Sequence, residues 1–285
     1  MNRAGADCLP GIPECNMLKH TVIFFLTLLV LSSHSVCLPT QAEEGAAPAH
    51  AKCAHCQKEG FVSTRAKNGA GKLFPLCYEC SMLPRCSFCQ MPSEAETEGG
   101  ERLCRECAAD TITKNAEAEK VMKDVRQVLS TKFKMTSKHK ITYELGTRRD
   151  INLEADGEHN ELGWFDPKEI RNKPHYTIRM LTGLPRDVFR SVGAHELAHD
   201  WMSETLPHLM DKPEIREGFA EFVAWLFSEA EGNKRMMEYT ENRTDDVYGG
   251  GFRKVRAMMG DAKTAAEWKN ILLKEFPLKG KKSGK

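Results

Sequence analysis

The chain lacks a surplus of either charge: 41 Lys and Arg stand against 40 Asp and Glu over 285 residues, for a formal net charge of +1. This balance excludes a nucleic-acid partner recruited by bulk positive charge, because neutralising a phosphate backbone demands an excess of cations. A long hydrophobic run is also lacking. The most apolar stretch, Thr21 to Leu31, falls short of the roughly 20 residues that span a bilayer as a helix, so no stable membrane span is expected. Lys19 and His20 precede it and small and polar residues follow, which is the pattern of an export signal over residues 1–42. Translation from Met17 would give that signal ordinary proportions, with Thr40-Gln41-Ala42 as the cleavage site, and the mature protein would be periplasmic or secreted. Cys37 suggests a lipoprotein, but His34 and Val36 suit such a cleavage box poorly, so a tethered form is the lesser alternative. Residues 43–52, rich in Ala and acid with Pro48, read as a flexible linker.

Residues 53–110 lack the large apolar side chains that a domain of that size needs for its own core. What they have is cysteine at fixed spacing: Cys53 and Cys56, Cys77 and Cys80, Cys86 and Cys89, Cys104 and Cys107, each pair a C-x2-C. Such a pair forms a knuckle that offers two thiolates to one tetrahedral metal, and two knuckles close a four-thiolate site. Sequential pairing gives one structural zinc to Cys53, Cys56, Cys77 and Cys80, and a second to Cys86, Cys89, Cys104 and Cys107. Metal binding would then supply folding free energy of about 10 kcal/mol per site. The alternative is a disulfide framework, which an exported chain also permits, although regular knuckles favour metal. The two-zinc order resembles a LIM domain, which makes the module a candidate for engaging a protein partner. It departs from that pattern in having five residues between Cys80 and Cys86 and no histidine ligand.

Beyond the cysteines, Ala118, Val121, Met122, Val125, Val128, Leu129 and Phe133 recur at helical spacing and predict a connecting helix within 111–135. Short strands are expected at Ile141 to Leu145, Ile151 to Leu153 and Tyr176 to Met180. The chemistry lies in His195-Glu196-Leu197-Ala198-His199. On a helix the two histidines stand one turn apart on one face and converge on one metal, with Glu196 beside it. Pro185 suits the first turn of that helix, and Val188, Phe189, Val192, Leu197, Ala198, Trp201 and Met202 give it an apolar stripe. A second helix starts near Pro213 with Ile215, Phe219, Phe222, Val223, Leu226 and Phe227 as its apolar positions. Two imidazoles and a carboxylate hold zinc with a position open, and Glu196 is placed as general base for water attacking a carbonyl.

Seventeen residues after His199 comes Glu217 in Arg216-Glu217-Gly218-Phe219-Ala220-Glu221. An H-E-x-x-H followed at this distance by Glu-Gly resembles the gluzincin peptidases, and that resemblance implies Glu217 as third ligand of a catalytic zinc. Glu221, one turn on, is then a second carboxylate behind the histidines, against the alternative of a solvated helix face. The order of strands, motif helix and second glutamate helix matches a zincin-like α+β domain over 136–276, in which a sheet edge beside the metal takes the substrate as an added strand. Residues 277–285 read as a solvated basic tail.

Both halves together resemble the plant organ-size-regulating LIM peptidases, the DA-one family. The resemblance rests on Gly183-Leu184-Pro185-Arg186, the His195 to His199 motif with Trp201, Glu217-Gly218, Trp225-Leu226, and Val247-Tyr248-Gly249-Gly250-Gly251-Phe252-Arg253. It implies a zinc endopeptidase acting on a protein or peptide substrate. Within the last segment, Tyr248 is a candidate donor to a developing oxyanion, set against ordinary packing under a loop, and Arg253 reads as structural. No ubiquitin-interacting helix precedes the module, so the relatives' regulation does not transfer. Two other functions fit the same residues: a LIM-like scaffold with an inactive peptidase half, and a metal-dependent hydrolase of a non-peptide amide or ester.

Overall fold

Cysteine knuckles and short ladders, not an apolar core, organise the first part of the chain. A computed structural model describes residues 50–62, 64–67, 73–93, 95–154 and 161–278, all within one unit, Ala46–Lys285. The expected export segment, residues 43–49 of the linker and residues 279–285 of the tail lie outside the described residues. The last three linker positions form a strand instead: β1 (His50–Lys52) pairs antiparallel with β2 (Glu59–Phe61). Next come the antiparallel pair β3 (Thr64–Lys67) and β4 (Leu73–Leu76), and the single turn α1 (Tyr78–Ser81). The second finger repeats this plan with β5 (Ala95–Glu96), β6 (Arg102–Leu103) and α2 (Arg105–Ala108). Cys77 and Cys104 are the N-caps of α1 and α2, so the second cysteine of each knuckle lies one turn up the helix. Among the described residues, and apart from cysteines, Leu76 is the only fully buried apolar residue in one cluster and Leu103 in the other, as the poverty of large side chains predicted.

From residue 111 the expectation of helix needs a correction. Thr111 and Ile112 form β7, which pairs with β11 (Leu184–Pro185) ahead of the motif helix, and α3 spans Asn115–Phe133. Its expected stripe is inward, and Lys134 ends it in the left-handed region at φ 57°. A three-stranded sheet follows, ordered β8 (Ile141–Gly146), β10 (Lys173–Leu181), β9 (Gly163–Ile170), with β10 parallel to β8 and antiparallel to β9. Two of the three expected strands thus appear, and Tyr176 to Met180 is the centre of the sheet.

The third does not. Ile151 to Leu153 lie in helix α4 (Arg148–Glu154). Thr147 and Asp150 cap it reciprocally: the Thr147 backbone N–H donates to Asp150 Oδ2 at 2.8 Å, and the Asp150 N–H to Thr147 Oγ1 at 3.4 Å. This local start signal outweighs the apolar alternation of Ile151 and Leu153. The edge strand β9 carries Asp166, Pro167, Lys168 and Glu169 and shows no apolar alternation; Pro167, with no N–H to give, is compatible with an edge.

Helix α5 (Arg186–Thr205) packs on the sheet and α6 (Pro213–Glu231) packs on α5, followed by α7 (Lys234–Glu241), a π-helical turn at Asp246–Gly250, α8 (Gly251–Met259) and α9 (Ala265–Glu275). Pro213 occupies the first turn of α6, whereas Pro185 is the N-cap of α5. Every expected apolar position on α5 and α6 is buried except Val192, which is partly exposed. Trp268 of α9 closes the core against Phe133, Phe219 and Phe222 at ring separations of 5.7–5.9 Å.

Candidate metal centre

The eight cysteines gather as expected, into Cys53, Cys56, Cys77, Cys80 and Cys86, Cys89, Cys104, Cys107, and none of the eight is in a disulfide. Tetrahedral zinc with Zn–S bonds of about 2.3 Å requires sulfurs about 3.8 Å apart. Cys56 and Cys77 Sγ are 3.8 Å apart and Cys89 and Cys104 Sγ 3.4 Å, so both quartets are preformed for zinc of structural type. Burial opposes a thiolate at Cys53, yet backbone N–H groups of Cys77, Cys56 and His55 more than offset it and bring the thiol down to about 6.

A third convergence occurs where α5 crosses α6. His195 and His199 Nε2 are 3.0 Å apart, and Glu217 Oε2 lies 3.3 Å from the first and 3.1 Å from the second. Ligands about 2.0 Å from a tetrahedral zinc are separated by about 3.3 Å, so these three atoms fit one ion. Glu217 is buried on α6, and although burial works against its charge, the His199 and His195 imidazoles hold its carboxyl well below the ordinary range. Burial likewise opposes the imidazolium of His195, but the hydrogen bond to Glu217 and the charges of Glu196 and Glu221 together raise that pKa. Glu221 meets His195 on the other side, its Oε1 3.7 Å from Nδ1, and is itself held by Arg243 Nη1 at 2.9 Å and by Thr240 Oγ1 at 3.1 Å. It is therefore no solvated carboxylate.

Glu196 projects into the cleft between α5 and β9. It is buried, and desolvation pushes its carboxyl up to about 8. A Cβ added to Gly163 of β9 would stand 2.8 Å from Glu196 Oε1, so glycine is what admits this carboxylate. Two cavities open beside the histidines, of about 360 Å³ and about 180 Å³. Glu161, Gly163, His195, Glu196 and Tyr248 line both. The smaller is walled by Trp164, Phe165 and Pro167 of β9 and by Met210. Tyr248 comes to this cleft as well, its ring 6.3 Å from that of His195, but its hydroxyl donates to Glu161 Oε1 at 2.5 Å. Arg253 lies apart and donates to the Arg243 carbonyl at 2.7 Å, the structural part expected of it.

Sequence reasoning did not single out Glu161, Arg216, Arg243 or Asp200. Arg243 stacks on Tyr248 at 4.1 Å while bonding Glu221, and nothing in its local sequence announces either contact. Asp200, next to His199, turns away to accept from Ser137 and to pair with His139 Nδ1 at 2.7 Å.

No protein-family model matches the chain, and no solved structure does. It is 23% identical over 227 residues to "LIM domain-containing protein HDR3" of Oryza sativa subsp. japonica, covering 64% of this chain and 45% of the relative. It is 22% identical over 254 residues to "Protein DA1-related 1" of Arabidopsis thaliana, covering 72% of this chain and 45% of that relative. The chain thus spans less than half the length of these curated relatives. Two cysteine quartets, each fit for zinc, together with these distant likenesses support kinship with a LIM/DA1-like family.

Proposed function

We propose that this chain is an exported zinc-dependent endopeptidase. The observation that carries the reading is the convergence of His195, His199 and Glu217 in a cleft that Glu196 also lines. His195, His199 and Glu217 would hold the ion, which supplies Lewis acidity to water and to a substrate carbonyl. Glu196 would take the proton from the attacking water and deliver it to the leaving amine. An extended substrate would lie along β9, whose residues wall the cleft. Tyr248 can donate to a developing oxyanion only by releasing Glu161. Export is proposed from the sequence of residues 1–42 alone; among the described residues no helix is long and apolar enough to cross a membrane. The cysteine module, by its LIM-like order, is proposed to engage a protein partner.

The test is a proteome-wide cleavage comparison between the wild type and Glu196→Gln. Glutamine keeps the shape but cannot take the proton, so the variant should bind zinc normally and lose nearly all turnover. Undiminished peptide cleavage by metal-loaded Glu196→Gln would overturn the mechanism. Loss of ester or amide turnover with no peptide cleaved by either protein would point to a non-peptide hydrolase.

A further inference from the structure

Glu217 has two carboxylate oxygens, and the structure gives them different partners. Oε2 faces the imidazole nitrogens of His195 and His199, while Oε1 accepts a hydrogen bond from Arg216 Nε at 2.7 Å. Adjacent residues on a helix point about 100° apart, so this contact requires the arginine to fold back. What holds it there is a second bond, from Nη1 to the Met210 carbonyl at 3.1 Å, across the turn that joins α5 to α6. Arg216 lines the smaller cavity beside the metal cluster, with about a third of its side chain exposed, and Glu217 is 6% exposed. A charge-assisted bond to a buried carboxylate is short and directional, and the planar guanidinium fixes its direction better than an ammonium would.

Resting on the zinc reading above, we infer that Arg216 is a positioning residue of the metal site, which occupies Oε1 of Glu217 so that Oε2 alone is offered to the ion. Two consequences follow from the bond. The carboxylate loses the freedom to rotate, so less entropy is lost when the ion binds. The ion also keeps a coordination position that a two-oxygen carboxylate would fill, and an open position is what separates a catalytic site from a closed one. Partners of this kind change metal affinity or activity by about 10- to 100-fold.

The experiment uses the full chain with its cysteine sites loaded with zinc. The third ion is removed by mild chelation and replaced by cobalt(II), whose visible bands are stronger in four-coordinate than in five-coordinate sites. Arg216→Ala should keep both cysteine-held ions, weaken zinc at the third site by about 10- to 100-fold in a chelator competition, and lose cobalt band intensity as Oε1 joins the ion. Arg216→Lys, which can still donate to Oε1, should recover part of both. An Arg216→Ala chain with wild-type affinity and an unchanged cobalt spectrum overturns the inference. If Arg216→Ala fails to fold, Arg216→Met, which keeps an unbranched stem but has no N–H to donate to Oε1, makes the same comparison. A wild-type chain that takes up only two ions overturns the zinc reading and this inference with it, a failure visible before any variant is compared.

Discussion

Glu217 and Glu221 stand one turn apart on α6, equally buried, and differ in what they face: one meets two imidazole Nε2 atoms and Arg216, the other the Nδ1 of one histidine, Arg243 and a threonine. On the proposed zinc reading, Glu217→Ala would remove a ligand, so the chain should hold two zinc ions instead of three. Glu221→Ala removes only an orienting contact, so three ions should remain with affinity or activity down by about 10- to 100-fold. Zinc content of the purified variants decides it, and three ions in Glu217→Ala with two in Glu221→Ala would reverse the roles. The approach of His195 to His199 was legible in the sequence because a helix alone brings i and i+4 together. Glu161 was not, because its partner Tyr248 lies 87 positions away. Arg216 was in view, but its direction is set by a carbonyl in the preceding turn, and no local pattern encodes that.

At the scale of elements, α5 and α6 were readable from their apolar spacing, but what lets α6 pack was not. The structure shows that a Cβ on Gly218 would run into the backbone of Gly251, the first residue of α8, and one on Gly251 into the Glu214 carbonyl. The two glycines therefore set the crossing of α6 with α8, whose preceding turn carries Tyr248 into the cleft. Gly218→Ala and Gly251→Ala should each destabilise the fold by about 1–3 kcal/mol, since backbone cannot yield as a side-chain end can. Urea denaturation of the purified proteins measures this, and a change below about 0.5 kcal/mol in both would show that the crossing tolerates a methyl group. The edge strand β9 escaped the sequence reading for a related reason: its pairing with β10 and its proximity to α5 form the strand, not its own alternation.

The whole molecule treats its two fingers unequally, which the symmetrical spacing of the cysteines does not announce. The first finger has its own small cluster, Cys53, Leu76 and Cys80. The second is joined to the larger body: Phe88 packs against the main core, Arg148 pairs with Glu101, and β7, just beyond α2, is laddered to β11. Arg235 of α7 donates to Cys107 Sγ at 3.1 Å and also pairs with Asp187 in the first turn of α5, the helix that carries His195 and His199. That cation sits where a filled cysteine site would carry excess negative charge, so zinc in the second finger and the start of α5 share one partner. Losing the metal of the second finger should therefore loosen the body, whereas losing that of the first should unfold only the finger. Cys53→Ser and Cys104→Ser each remove one thiolate from a quartet and should each cost one zinc ion. The main thermal transition should stay within about 2 °C of wild type in Cys53→Ser and fall by about 4–8 °C in Cys104→Ser, as a loss of about 2 kcal/mol implies for a body of this size. Calorimetry with parallel zinc analysis measures both. Equal shifts in the two variants would mean that the contacts through Arg235 and Phe88 do not bind the second finger to the body energetically.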